Sequence, residues 1–101
     1  MTEDAPLPPL HPGEVLREEF MAPLGLDAEA LARACGAERA AVAAIADERA
    51  GISGDIAIRF GRVFDTSPEF WMNLQQRFDL ECAALALGDA VDGIKPLERA
   101  A

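Results

Sequence analysis

The sequence predicts an all-α domain of five helices, and three observations carry that expectation. Alanine and leucine dominate the apolar half of the 101 residues, and the aromatic set is five Phe and one Trp with no Tyr. With few β-branched residues, this composition favours helix over strand. Apolar residues recur at four-residue spacing, as in Leu16/Phe20, Ile56/Phe60 and Phe70/Leu74/Phe78, which is the period of a buried helix face. Finally, Asp27 to Ala46 reads as two short helical segments hinged at Cys35-Gly36-Ala37, with Leu31, Ala34, Val42 and Ile45 able to face one core. Gly36 supplies the left-handed residue that a helix C-terminus needs. Helix, tight glycine turn and second helix together make the helix-turn-helix arrangement, whose second helix can enter a major groove.

Residues 1–10 hold several prolines and two acids with little to bury, so an extended arm is expected there. His11-Pro12-Gly13-Glu14 opens the first helix: Pro12 lies in the first turn, where its missing amide proton costs nothing, and Glu14 sits near the positive end of the dipole. Leu16 and Phe20 form its inner stripe with Val15 and Met21 flanking, Arg17, Glu18 and Glu19 point outward, and Pro23 with Gly25 stops it after about Ala22. Asp27 caps the second helix and Gly36 ends it. The third covers about Glu38 to Ala46. Ser53 caps the fourth, with Ile56, Phe60 and Val63 or Phe64 inward. Thr66-Ser67-Pro68-Glu69 starts the fifth and longest, to about Leu87, closed by Gly88. Residues 11–88 therefore form one domain, and residues 89–101 a loosely held tail in which Ile94 and Leu97 are candidates for docking.

A formal charge of −9 opposes long-range attraction to a polyanion and favours a basic partner. Two cysteines, Cys35 and Cys82, stand in apolar helical contexts and read as buried thiols of a reducing cytoplasm rather than a disulfide or metal pair. No apolar run approaches the roughly 18 residues of a membrane span. No nucleophile with a base, paired carboxylates, phosphate loop or ligand cluster points to an enzyme, a metal or a cofactor. His11, the single histidine, reads as a polar lid over the start of the first helix.

The string His11-Pro12-Gly13-Glu14-Val15-Leu16-Arg17-Glu18-Glu19-Phe20, then Pro23-Leu24-Gly25-Leu26, Leu31-Ala32 and Gly36, and finally Thr66-Ser67-Pro68-Glu69-Phe70-Trp71-Met72-Asn73-Leu74-Gln75 resembles the HigA-type antitoxins. These are a branch of the Xre, phage-repressor-like helix-turn-helix regulators, and the likeness spans about Pro9 to Ala83. It implies a five-helix lambda-repressor-like fold, a homodimer, an operator near its own promoter, and a small basic RNA-cleaving toxin as partner.

The chain departs from such antitoxins where DNA would lie. A Gln that opens the second helix in the family is Ala28 here. A Ser, Arg, Ser-Thr run at the head of the third is Glu38, Arg39, Ala40, Ala41; a Ser-Arg one turn later is Ala43-Ala44; and Asn-Gly-Lys-Arg in the linker is Asp47-Glu48-Arg49-Ala50. Candidate DNA contacts are thus Glu38, Arg39, Ala40, Ala43, Ala44 and Arg49, of which Arg39 and Arg49 are chemically competent donors. Asp27 to Ala50 carries five acids against three arginines, a net of −2. A good bidentate base contact supplies about 1–3 kcal/mol of discrimination and phosphate contacts most of the non-specific affinity, so these replacements bear on both. Glu38 could still accept from the amino group of cytosine. An alanine-rich helix also suits close packing against another protein.

Phe70, Trp71, Leu74 and Phe78 are candidates for a dimer or partner interface, with at least one ring expected in the core. The acidic arm and the row Arg17, Glu18, Glu19 could meet a basic toxin. Two functions follow: a HigA-like antitoxin and autorepressor, or a repressor scaffold that has lost its DNA chemistry and serves as a protein-interaction subunit.

Overall fold

The computed structural model describes residues 7–98; Glu3 and Asp4 of the expected acidic arm and residues 99–101 of the tail lie outside the described residues. Five helices follow one another. The first, α1, is composite: an α-turn at Pro12–Val15, a π-helical segment at Leu16–Met21 and a last α-turn at Ala22–Leu24. Then come α2 at Ala28–Cys35, α3 at Arg39–Ala46, α4 at Gly54–Phe64 and α5 at Pro68–Leu87, with a 3-10 turn at Gly88–Gly93.

Local chemistry explains most of the boundaries. Side chains of His11, Asp27, Ser53 and Ser67 accept from the backbone amides of Gly13, Ala30, Ile56 and Phe70, so four of the five helices start on a side-chain cap. Gly25 at φ 65° and Gly36 at φ 71° end α1 and α2 in the left-handed conformation that costs glycine nothing. Pro23 does not stop α1, contrary to the expectation; it sits inside the last turn. The proline has no amide proton for the carbonyl four residues back and crowds it, and the widened turn before it absorbs the mismatch, with the Ala22 amide reaching the Arg17 carbonyl.

The core is built from Leu16, Leu31, Val42, Ile45, Ala57, Phe60 and Trp71, each at most 2% exposed. Trp71 is its centre: its ring lies 5.0 Å from Phe20 and 5.2 Å from Phe60 between centroids, and its Nε1 donates to Thr66 Oγ1 at 2.9 Å. His11 is buried and meets the edge of Phe78 at 4.7 Å, forming the lid expected of it.

Three expectations about burial are corrected. Ala34 is exposed, because the inner face of α2 is filled by Leu31 and Ala32. Cys35 and Cys82 are free but only half-buried. Ile94 and Leu97 do not dock: they are 68% and 93% exposed, since the chain after Gly88 turns away from the core. Beyond Phe78, α5 likewise extends past the other helices, leaving Leu80, Leu85 and Leu87 exposed. Among the described residues no helix is long and apolar enough to cross a membrane.

Candidate nucleic-acid interface

The α2–turn–α3 unit is held from below and at both ends. Leu31 and Ala32 of α2 and Val42, Ile45 and Ala46 of α3 are buried together, which fixes the angle between the two helices. At the turn, the Ala37 amide returns to the Ala32 carbonyl at 3.0 Å. Arg59 of α4 clamps the same turn: its Nη1 donates to the carbonyls of Cys35 at 3.0 Å and Gly36 at 2.8 Å, satisfying acceptors that the end of α2 leaves open. Asp55 accepts from Arg59 Nε at 2.6 Å and, chiefly through that hydrogen bond, holds the guanidinium pKa above its ordinary value.

A second arginine clamps the far end of α3. Arg17 of α1 donates from Nη1 to the carbonyl of Ala46, from Nη2 to Glu48 at 3.2 Å and from Nε to Glu18 at 3.1 Å. Hydrogen bonds to Glu18 and then Glu48 raise its pKa. Glu48 takes φ 64°, a left-handed conformation that non-glycine residues rarely adopt, at the position where the resembling antitoxins carry Gly. Beneath α3, Gly13 lets α1 approach so closely that a Cβ would fall on the Ile45 carbonyl oxygen. The linker beyond is held by Gln75 of α5, whose Oε1 accepts from the Ile52 amide at 2.6 Å; Gly51 leaves room for that amide group, since a Cβ there would stand 2.7 Å from the same oxygen.

With its underside fixed, α3 presents an open outer face. Glu38, Arg39 and Ala40 are exposed together with Ala41, Ala43 and Ala44 are half-buried, and Arg49 is exposed just beyond the helix. Thus the six candidate DNA contacts lie in or beside one helix, but the polar ones gather at its two ends. Arg49 Nη2 is paired with Asp47 at 3.3 Å, and Arg33 on the outside of α2 with Glu29 at 3.0 Å. Arg17, Arg59 and Arg77 are also engaged with acids. Arg39, like Arg62 on α4 and Lys95 in the tail, has no acidic partner among the described residues, and of the cations on or beside α3 it is the one most readily offered to a phosphate or a base edge.

The four candidate interface residues on α5 divide. Trp71 is fully buried within this chain, Leu74 and Phe78 are half-buried, and Phe70 is 37% exposed. Sequence reasoning gave Arg59 no role, named Gln75 only as the end of the family-like string, and assigned Arg17 to an outward row. Their partners lie 23 to 31 residues away, where no local periodicity reports. For Gln75 the one available signal was a polar residue next to the inward row of α5.

No family model matches the chain. Individual proteins do. Over 89 residues the chain is 32% identical to antitoxin HigA-1 of Vibrio cholerae, covering 88% of this chain and 84% of that one. Among solved structures, the antitoxin HigA of Pseudomonas aeruginosa with the higBA promoter superposes with a TM-score of 0.84 at 47% identity, covering 89% of this chain and 99% of the other. Antitoxin GraA in complex with its operator superposes with a TM-score of 0.84 at 43% identity, covering 97% of this chain and all (100%) of the other.

Proposed function

This chain belongs to the HigA family of helix-turn-helix antitoxin regulators, and on that premise we propose that it binds an operator near its own promoter as a homodimer while another surface sequesters a small basic toxin that cleaves RNA. Family membership puts it among regulators rather than enzymes. The observation that carries the proposal is the α2–turn–α3 unit, braced by Arg59 at one end and Arg17 at the other, with the outer face of α3 left open. A rigid helix with a free outer face is what insertion into a major groove requires; two copies spaced by one helical turn of DNA, about 34–36 Å, would reach successive grooves. Relatives solved with a promoter or an operator support the same use of the scaffold.

In this reading Arg39 supplies the main donor to DNA. Arg49 becomes a second when its exposed pair with Asp47 opens, and Ala40, Ala43 and Ala44 contribute shape and apolar contact. Phe70, Leu74 and Phe78 on α5 serve the interface between copies, with Trp71 supporting them from the core. The exposed carboxylates Glu14, Glu18 and Glu19 on α1, within a chain of net charge −9, suit a basic toxin and would speed its capture. The protein would act in the cytoplasm, where such a toxin meets RNA.

Titration of the purified protein against the DNA immediately upstream of its gene tests this. Sequence-specific binding that weakens between about 50 and 200 mM salt is expected, with a slope of several phosphates per dimer. Absence of binding even at about 50 mM salt would favour a second reading, to which the methyl-lined outer face of α3 also points: a repressor scaffold used as a protein-interaction subunit. Copurification with a small basic protein separates an antitoxin from a subunit of another assembly.

A further inference from the structure

We propose that Glu38 is a specificity-determining residue whose carboxylate accepts a hydrogen bond from the exocyclic amine of a cytosine in each operator half-site. The proposal rests on the reading of α3 as the groove-facing helix and adds the base that this chain selects.

Within α3 and its cap, every position on the outer face other than Glu38 and Arg39 is alanine, so any hydrogen-bonded base reading by that helix must come from these two side chains. Residues at the N-terminus of a reading helix are the ones that meet base edges. Glu38 stands at that end, exposed, and its side chain makes no capping hydrogen bond to the first amides of α3, whereas His11, Asp27, Ser53 and Ser67 all cap the helices they precede. Nor does its carboxylate pair with a cation among the described residues, Arg39 next to it included. Both oxygens are therefore available to an outside donor.

Few donors exist in a major groove. Phosphates repel a carboxylate, and guanine and thymine present only acceptors or a methyl group. Adenine offers its N6 amine beside the N7 acceptor, which would oppose the second carboxylate oxygen. Cytosine offers its N4 amine with no acceptor on the same base edge, and its paired guanine turns O6 and N7 toward the same groove, where they match the guanidinium of the adjacent Arg39. One acid and one base in sequence thus complement one C·G pair or two neighbouring ones, and the charges of the pair cancel.

The probe is the duplex immediately upstream of the gene, with every base pair replaced singly, titrated by fluorescence anisotropy with the wild type, Glu38→Ala and Glu38→Gln. Wild type is expected to lose about tenfold or more when one particular cytosine per half-site is changed. Glu38→Ala should be indifferent at that position while keeping the ranking elsewhere. Glu38→Gln should shift the preference there toward adenine, whose N6 and N7 a carboxamide reads as a pair. Replacing the same cytosine by 2-pyrimidinone, which lacks the amine, should weaken the wild type and leave Glu38→Ala unaffected. If Glu38→Ala binds every duplex more tightly with the ranking unchanged, the residue only repels phosphate and the proposal is overturned. If the wild type shows no sequence preference at all, the operator-binding reading falls first and this proposal with it. Circular dichroism of both variants verifies that the fold is retained.

Discussion

Arg17 Nη1 lies 2.6 Å from the carbonyl oxygen of Ala46, so a side chain on the first helix completes the C-terminus of the third across 29 residues of sequence. Its guanidinium is engaged by Ala46, Glu18 and Glu48 of this chain rather than left free for DNA. Arg17→Ala should therefore weaken operator binding by loosening the end of α3 while leaving the salt dependence unchanged. Arg39→Ala should weaken it and also lower the slope of log K against log[salt] by about 1. Titrations at three or more salt concentrations distinguish the two effects.

Glu48 holds φ 64° without being glycine. A left-handed residue with a Cβ costs roughly 1 kcal/mol relative to glycine, and the exposed pair with Arg17 returns only part of that. Glu48→Gly should raise stability by about 0.5–1 kcal/mol, seen as a higher urea midpoint with an unchanged m-value.

At Gly13 the prediction has the opposite sign. A methyl group there meets the Ile45 carbonyl, part of a backbone that cannot swing aside. Gly13→Ala should destabilise by about 2–3 kcal/mol, even though alanine has the higher helix propensity, and thermal unfolding followed at 222 nm would report the loss.

Gln75 supplies the acceptor for a partly buried amide at Ile52. Removing it in Gln75→Ala leaves that amide unsatisfied and should cost about 1–2 kcal/mol. Hydrogen exchange at Ile52 should accelerate more than at Leu31, whose amide bonds within the helix-turn-helix unit.

Arg17 and Arg59 both have pKa values raised above the ordinary guanidinium value by hydrogen bonds to their carboxylate partners. For a base whose folded value is raised, the added stability is complete below the unfolded value and is lost only as pH climbs through the folded one. The difference in urea midpoint between wild type and Arg59→Ala should thus stay constant between about pH 7 and pH 10. A difference that shrinks across that interval would mean the guanidinium is not the group responsible.

Helix starts were legible because their cause is local. Asp27, Ser53 and Ser67 each accept from an amide three residues on, and such a cap is visible in any window of four letters. Phe60 was legible from its four-residue spacing with Ile56, whereas on α5 that spacing picked out Phe70, Leu74 and Phe78; the buried centre is Trp71, one residue off that row, and Phe70 is 37% exposed. Ala34 was not legible, because alanine occurs on both faces of α2 and a methyl group does not declare which side it prefers. The composition of the outer face of α3 was readable letter by letter, whereas its bracing was not. Arg17 and Arg59 look like surface cations until the fold brings carbonyls from distant turns against them. The left-handed Glu48 was hidden for a related reason: its conformation is imposed by the path from α3 to α4, with a residue that does not advertise it.

At Gly13 the backbone of α1 comes directly against the Ile45 carbonyl of α3, with no side chain between the two helices. On the proposed reading, a macromolecule bound at the exposed Glu14 and Glu18 of α1 would therefore rest on the helix whose backbone directly backs α3.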